Sequence, residues 1–285
     1  MNILYQGTGA AEGIPAYFCF CETCKKARAA GGKEIRTRAG SLIDGVLKLD
    51  FGPDSYTQML AAGEDYRFLH SVLITHSHED HLNPADVVLR RPGFAAVPEN
   101  EPVLTVYGNS AVGRLIHVND RVKYSYIEPF VPTDIEGYTV TALKAVHCLT
   151  NEVTEYPVRY DGETLYRAED CHIYLIEKDG KSILYAHDTD LLAEENMEYL
   201  TANHKHLDLV SLDCTSGSWI TKWKGHMTAA KNLIVRERLL AASLADENTK
   251  FVANHFSHNG YTDYEDMQKR LPGFILAVDG MKIEV

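Results

Sequence analysis

Three imidazoles and one carboxylate fall within the short segment ITHSHEDHLN, as His76, His78, Asp80 and His81. They follow the apolar run RFLHSVL, which is typical of a buried strand. His76 and His78 are two residues apart, so in an extended segment their side chains point to the same side. Asp80 and His81 come after the turn. One short segment therefore offers two pairs of ligands, which predicts two neighbouring divalent metal ions.

Two adjacent ions suit hydrolysis. Such a pair can hold a bridging hydroxide at neutral pH and stabilise the attacking and leaving oxygens of a displacement. No serine or cysteine nucleophile is needed, and the chain contains no GxSxG motif. The segment thus predicts a metal-dependent hydrolase.

A second cluster, FCFCETC, contains three thiols within six residues: Cys19, Cys21 and Cys24. Disulfides pair cysteines and a tetrahedral zinc ion needs four ligands, so three thiols leave one position open. Either these are free or redox-active cysteines with one thiol left over, or they bind a structural zinc ion whose fourth ligand comes from elsewhere in the chain. Zinc is favoured, because free cysteines are usually buried singly. The remaining cysteines are dispersed and are expected to be ordinary buried thiols: Cys148, Cys171 and Cys214.

Composition limits the class of partner. The 285 residues carry a formal charge of −12 and show no basic stripe, which argues against an extended nucleic acid. A small phosphate ester stays compatible because metal ions supply local positive charge. The chain has no signal-peptide pattern and no apolar run of membrane-spanning length, so we expect a cytoplasmic protein without a membrane partner. Association into a homodimer is left open.

Strand-like runs alternate with helical patterns, which predicts an α/β fold. Hairpins are expected at Asp44-Gly45, at Asp179-Gly180 and within the C-terminal GFILAVDGMKIEV. The longest helix is expected in MTAAKNLIVRERLLAASLA. Its predicted buried face comprises Ala230, Leu233, Ile234, Leu240, Ala241 and Leu244.

The HxHxDH pattern resembles the signature of the metallo-β-lactamase superfamily, and the later segments KAVHCL, LYAHDTD and VANHFSH fit its further motifs. The resemblance implies one domain over residues 1–285, an αββα sandwich with two central mixed sheets and helices on both outer faces. It implies two active-site ions, with manganese or zinc expected. One ion would be bound by His76, His78, His147 and Asp188, and the other by Asp80, His81, Asp188 and His255.

The N-terminal run GTGAAEGIPAYFCFCETCKKAR resembles one branch of that superfamily, which contains the cyclic phosphodiesterase of the carbon–phosphorus lyase pathway. A protein of pyrroloquinoline quinone biosynthesis has a similar run. The resemblance implies that His258 completes the zinc site of Cys19, Cys21 and Cys24. It also implies that His226, just before the long helix and its predicted cap Thr228, is a general acid. Asp80 is the second candidate catalytic residue.

Substrate contacts are expected next to His226, at Lys222, Trp223 and Lys224. Arg159 and Arg167 are further candidates. They belong to segment 149–170, which is either a lid over the site or a plain surface hairpin.

The function expected from these features is hydrolysis of a small, cyclic phosphodiester. A ribonuclease Z-like enzyme shares the metal ligands, but the chain has no basic insertion for gripping RNA. A non-hydrolytic carrier resembling the pyrroloquinoline quinone protein shares the cysteine run. The complete set of dinuclear ligands favours an enzyme over a carrier.

Overall fold

The computed structural model describes residues 1–285, and its first sheet gathers strands from both ends of the chain. Its strands are β1 (Asn2–Gly7), β2 (Gly40–Ile43), β3 (Leu47–Leu49), β4 (Ser71–Leu73), β5 (Leu104–Gly108), β6 (Val122–Tyr126) and β17 (Met281–Glu284). Their spatial order is β17-β1-β2-β3-β4-β5-β6. The sheet is mixed, because β3 to β6 run parallel while β17, β1, β2 and β3 pair antiparallel.

The second sheet is also mixed. It contains β7 (Thr133–Ile135), β8 (Tyr138–Lys144), β12 (His172–Lys178), β13 (Lys181–Ala186), β14 (Leu209–Asp213), β15 (Lys250–Asn254) and β16 (Ile275–Leu276). Their order is β16-β15-β14-β13-β12-β8-β7. A separate three-stranded sheet is formed by β9 (Leu149–Thr150), β10 (Pro157–Tyr160) and β11 (Glu163–Arg167).

Helices cover the outer face of each sheet. They are α1 (Glu22–Ala30), α2 (Ser55–Ala62), α3 (Pro84–Val87), α4 (Ser110–Leu115), α5 (Glu194–Ala202), α6 (Ala229–Ala241) and α7 (Tyr264–Arg270). Buried side chains of α1, α5, α6 and α7 pack with the second sheet, and those of α3 and α4 pack with the first. The predicted αββα sandwich is therefore confirmed.

The faces of the central strands follow the period of two expected for β structure. Along β12, Ile173 and Leu175 pack toward the helices, whereas Tyr174 and Ile176 pack against the first sheet. Both faces are apolar because both are covered. The core between the two sheets contains 19 buried residues and fixes the sheets against each other.

The hairpins at Asp44-Gly45 and Asp179-Gly180 are confirmed, and both turns use positive φ at both residues. The predicted C-terminal hairpin is wrong. The strand β16 pairs with β15 in the second sheet, and β17 pairs with β1 in the first. The turn between them crosses from one sheet to the other, held by the Asp279 carboxylate, which accepts hydrogen bonds from Thr8 and Thr37.

The predicted inner face of α6 is also wrong in part. The buried residues within the helix are Ala229, Asn232, Val235 and Leu239. Ile234 and Leu240, assigned to the core from the sequence, are 43% and 36% exposed. A polar residue at the centre of the buried face causes the difference, because Asn232 donates a 2.7 Å hydrogen bond to the carbonyl of Asp213. Leu244 is buried, but it lies beyond the helix end.

Substitutions at two neighbouring leucines test the observed orientation of α6. Leu239→Ala should lower the free energy of unfolding by about 2–5 kcal/mol, because it removes a fully buried side chain from a closed core. Leu240→Ala, the same change one residue on, should cost less than about 1 kcal/mol. Urea unfolding followed by circular dichroism measures both. Equal losses would contradict the observed helix orientation.

Candidate metal centre

The histidine and aspartate side chains meet at one edge of the sandwich, where strands of both sheets end. His76 and His78 follow β4, His147 follows β8, Asp188 follows β13 and His255 follows β15. The strands β13, β14 and β15 are parallel, so their C-terminal ends share this edge. The fold thus brings together ligands that are distant along the chain.

Asp188 lies at the centre of this cluster. Its Oδ2 is 2.9 Å from Nε2 of both His81 and His255, and its Oδ1 is 3.7 Å from His147 Nε2. Asp80 Oδ2 lies 3.1 Å from His81 Nε2. The two oxygens of Asp188 therefore face two different groups of predicted metal ligands, as is required of a carboxylate that is shared between two ions.

His76 and His78 complete the half of the cluster nearer to His147. Their ring centroids are 4.4 Å apart, and His78 Nδ1 is 3.4 Å from His147 Nε2. All seven residues predicted as ligands of the ion pair are thus brought together.

A ring of outer hydrogen bonds orients the imidazoles. His81 Nδ1 donates to Asp50 Oδ2 at 2.7 Å, and His76 Nδ1 donates to Thr75 Oγ1 at 3.0 Å. His147 Nδ1 donates to the Gly225 carbonyl at 3.1 Å. Such bonds fix the tautomer that leaves Nε2 free to bind a metal.

His255 follows the same scheme, because its Nδ1 donates to Thr215 Oγ1 at 2.7 Å. Asp188 and His255 both have left-handed backbone, with φ of 49° and 58°. Non-glycine residues in this region cost of order 1–3 kcal/mol and cluster at functional sites. The chain therefore turns sharply at the ends of β13 and β15 to present these two side chains.

Four buried polar atoms of the cluster make no hydrogen bond: His76 Nε2, His81 Nε2, His255 Nε2 and Asp188 Oδ2. Asp188 Oδ2 lies 2.9 Å from Nε2 of both His81 and His255 without a hydrogen bond between them. An unsatisfied buried polar group costs about 1–3 kcal/mol, so a cluster of four is unfavourable by itself. Divalent cations would satisfy all four atoms, so the residues present fit a dinuclear metal site.

The charges of the cluster are strongly coupled. Burial alone would raise the pKa of Asp188, but His255 and His81 outweigh burial and hold it well below its usual range. Burial would lower the pKa of His255, but the Asp188 carboxylate raises it to about 10. Metal binding must displace the proton that this pairing favours, so uptake of the ions should release protons.

Gly52 allows a close approach beside the HxHxDH loop. A Cβ at this position would lie 1.9 Å from the carbonyl oxygen of Asp80. The neighbouring Phe51 pairs with this loop in an isolated parallel β-bridge. Its N–H donates a hydrogen bond to the His81 carbonyl at 2.7 Å. Only glycine fits at this position, because a side chain would overlap the loop backbone that carries two of the predicted metal ligands.

The clustered thiols also converge. The ligand atoms of Cys19, Cys21, Cys24 and His258 all lie within 4.8 Å of one another. His258 Nδ1 is 3.6 Å from Cys19 Sγ and 3.5 Å from Cys21 Sγ. Three thiols and one imidazole are the donors of a closed tetrahedral zinc site. The structure thus assembles the donor set that the resemblance implied.

Backbone N–H groups favour thiolates in this loop. The Cys24 N–H donates to Cys21 Sγ at 3.4 Å, and Cys21 is the residue that caps α1. Burial would raise the pKa of Cys21, but these donors and the neighbouring ligands lower it to about 6. Burial raises the pKa of Cys24 to about 12, so its proton must be displaced when a metal binds.

A cavity of about 420 Å³ opens over the metal ligands. Trp223, Lys224 and His226 line it, as does Trp219. Lys222 does not contribute to its wall. The predicted contacts next to His226 are thus placed at the site for two of the three residues.

Arg167 and Arg159 do not reach the cavity, which corrects their assignment as substrate contacts. Arg167 is buried, and its guanidinium donates to the carbonyls of Ala145 and Cys171 and to Asp170. Its cation therefore serves the packing between β8 and β12.

Arg159 points away to α5, where its guanidinium pairs with Glu194, Glu195 and Glu198. The segment 149–170 forms the small sheet β9–β11, with Val158 and Tyr160 packed in the core beside the second sheet. It is a folded attachment to this sheet, and only its first residue, Leu149, lines the cavity.

The sequence analysis missed two carboxylates that hold histidines. Asp50 orients His81, and Asp213 Oδ2 lies 2.9 Å from Nδ1 of His226. Both follow or end a strand, which is a signal that the sequence contains. Cys148 was expected to be buried, but it is half-exposed, lines the cavity and lies 3.5 Å from His78 Nε2.

The family of the chain follows from sequence comparison. The model of the Beta-lactamase superfamily domain matches residues 42–277, which include all seven ligands of the ion pair. The chain belongs to the β-lactamase superfamily. Its N-terminal thiol loop lies before the matched range.

Two curated relatives match part of this superfamily member. The octanoyltransferase of Porphyromonas gingivalis is 28% identical over 166 residues, which are 52% of this chain and 31% of that protein. Coenzyme PQQ synthesis protein B of Bradyrhizobium diazoefficiens is 24% identical over 152 residues, 48% of either chain. The matches thus span about a third and about half of these relatives.

Three solved structures share the fold over the full length of this chain. A new diphosphatase from the PhnP family has a TM-score of 0.71 at 21% identity, covering 100% of this chain and 96% of its own. Zn²⁺-bound PqqB from Methylobacterium extorquens has a TM-score of 0.69 at 21% identity, with 100% of both chains covered. Human tRNase Z, short form, has a TM-score of 0.61 at 17% identity, covering 100% and 99%. At 21% identity or less, these likenesses show that the chain shares the fold of these proteins.

None of the α-helices combines the length and apolar composition needed to cross a membrane.

The two donor sets predict three divalent ions per chain. Cys21→Ser should remove one zinc ion and lower the thermal unfolding temperature, while the other two ions stay bound. Elemental analysis of metal-replete protein and thermal unfolding test this. Cys214→Ser, which removes a buried thiol that belongs to neither donor set, should keep all three ions. Two or fewer ions per chain in the unaltered protein would contradict the thiol site.

Proposed function

We propose that the protein is a metal-dependent phosphodiesterase that hydrolyses a small, cyclic phosphodiester. The observation that carries this proposal is the imidazole of His226, which lines the cavity over the metal ligands and is oriented by the Asp213 carboxylate. The combination provides both a place for the phosphate and a donor for the leaving oxygen.

The chain's own residues define what each part does. The ligands from His76 to His255 would bind two divalent ions, which when bound supply an activated water and positive charge for the phosphoryl oxygens. Asp188 and Asp80 contribute negative charge that offsets the charge of the ions. The cavity brings the phosphate next to these ligands.

His226 is suited to donate a proton. Its Nδ1 is held by Asp213, whose other oxygen accepts hydrogen bonds from the N–H groups of Met227 and Thr215. The ring is therefore fixed, and Nε2 is left as its donor. Burial would lower the pKa of His226, but the Asp213 carboxylate raises it above the usual value, which favours the protonated form.

Hydrolysis of the diester exchanges one P–O bond for another. Water supplies the oxygen that bonds to phosphorus and releases a proton to solvent, while the bond from phosphorus to the leaving oxygen breaks. His226 Nε2 gives that leaving oxygen a proton, and solvent then restores the proton on His226. In a cyclic diester the leaving oxygen stays on the same molecule as a free hydroxyl.

Cavity size and charge support a small substrate. The volume of about 420 Å³ lies in the range of small-molecule sites. Trp219 and Trp223 are 51% and 68% exposed, so each offers an aromatic surface for a ring. The net charge of −12 disfavours an extended nucleic acid.

Two alternative functions are an RNA-processing ribonuclease and a non-hydrolytic carrier. A ribonuclease resembling tRNase Z would need many phosphate contacts, and a non-hydrolytic protein resembling PqqB would need no proton donor. The placement of His226 by Asp213 favours hydrolysis over a carrier role, and the net charge of −12 favours a small ester over RNA. Zinc or manganese as the active-site metal, a cytoplasmic location and a homodimer stay predictions.

The proton-donor role of His226 is tested with leaving groups of different acidity. His226→Ala should keep its metal content but lose roughly 10²–10⁴ in rate on a diester with an alkoxide leaving group. The loss should shrink on a nitrophenyl ester, because nitrophenolate leaves without a proton. Asp213→Asn should show the same pattern more weakly. An equal loss on both esters would indicate a binding role instead.

Substrate size is tested with a salt series. We expect hydrolysis of 2′,3′-cyclic nucleotides or a ribose cyclic phosphate with shallow salt dependence, because few phosphates are contacted. Precursor tRNA should be cleaved little or not at all. Efficient tRNA cleavage that falls steeply with salt, without action on cyclic phosphates, would favour the ribonuclease.

A further inference from the structure

Glu12 connects the two metal-binding regions. It lies in the turn after β1, which is held to the loop of His255 by the Ala10 N–H donating to the Phe256 carbonyl at 2.9 Å. Its Oε1 accepts a hydrogen bond from Ser257 and lies 3.5 Å from His258 Nε2. The other nitrogen of His258 faces the thiols. One carboxylate thus contacts the thiol site from behind and lines the cavity in front.

The second oxygen of Glu12 is free for a ligand. Both of its protein contacts use Oε1, and the side chain is 31% exposed. The backbone turn and the Ser257 hydroxyl fix the carboxylate, which lines the cavity, and its Oε2 accepts no hydrogen bond within the protein. A fixed acceptor loses little freedom when it binds a donor, which favours selective recognition.

The charge around the cavity makes this position distinctive. Apart from the metal ligands and His226, its charged wall residues are Glu12 and Lys224. The ammonium group of Lys224 is already paired with Glu163 at 2.6 Å. No lysine or arginine pairs with Glu12, whose only charged neighbour is His258, so this part of the wall carries a carboxylate. Such a wall attracts a hydroxyl or ammonium group and repels a second anionic group.

We infer that Glu12 determines substrate specificity: its Oε2 binds a hydroxyl or amino group on the organic part of the diester and excludes diesters that carry an additional phosphate. This inference rests on the proposed phosphodiesterase function and names the class of substrate within it. Recognition has an attractive and a repulsive part, so one substitution should change the rates on two substrates in opposite directions.

The test uses two probes that differ at one group. Adenosine 2′,3′-cyclic phosphate presents a 5′-hydroxyl, and its 5′-phosphorylated form presents a dianion at the same position. The unaltered protein should have the higher kcat/KM on the hydroxyl form. Glu12→Gln should reduce this preference by about tenfold or more, because a hydrogen bond to a charged group and a like-charge repulsion are both lost.

Two controls separate specificity from structure. Glu22→Gln makes the same charge change on the exposed first turn of α1 and should leave the ratio unchanged. Elemental analysis should find the zinc content of Glu12→Gln unchanged. An effect transmitted only through His258 would lower both rates together and leave their ratio as it was, which would overturn the inference.

Binding distinguishes failure of the inference from failure of the proposed function. Calorimetry measures the dissociation constants of the same two compounds on metal-replete protein whether or not they are hydrolysed. Binding without hydrolysis would reject the phosphodiesterase, while a changed ratio of dissociation constants in Glu12→Gln would still support the role of Glu12. An unchanged ratio, or no binding of either compound, would overturn that role.

Discussion

The carboxylate of Asp188, within 2.9 Å of imidazoles from two other segments, sets the constraint that the remaining structure must satisfy. Three buried nitrogens and one buried oxygen make no hydrogen bond there, which is unfavourable unless cations bind. The cluster can persist only on a rigid support. Two sheets buried on both faces supply it, because their strand ends cannot move without disturbing a close-packed core.

A second support holds the loop of His255 from behind. The buried Arg36 donates hydrogen bonds to Thr8 Oγ1 and to the Ala277 carbonyl, and its guanidinium lies 4.5 Å from the ring of Phe256. The proposed zinc site adds a bridge between the N-terminal loop and His258, three residues after His255. The position of one active-site ligand therefore depends on residues from both ends of the chain.

Much of this site could be predicted because its ligands are all histidine or aspartate. They occur either at fixed spacing within one segment or directly after an apolar run. Which face of a helix is buried was harder to predict from the sequence. The face of α6 is set by Asn232, whose partner Asp213 lies on another element, and hydropathy alone cannot anticipate that bond. The cationic residue Arg167 was assigned to substrate because sequence does not show whether backbone carbonyls enclose a charge. Glu12 escaped notice since its significance depends on His258, more than two hundred residues away.

The pairing of β1 with β17 has a consequence for biosynthesis. Residues 2–5 pair with residues 281–284 in antiparallel register, so β1 gains this neighbour only once residues 281–284 have been synthesised. Until then β1 lacks this neighbour, and an unpaired strand edge invites pairing with other chains. A nascent chain that stalls before residue 281 would therefore be a natural client for chaperones.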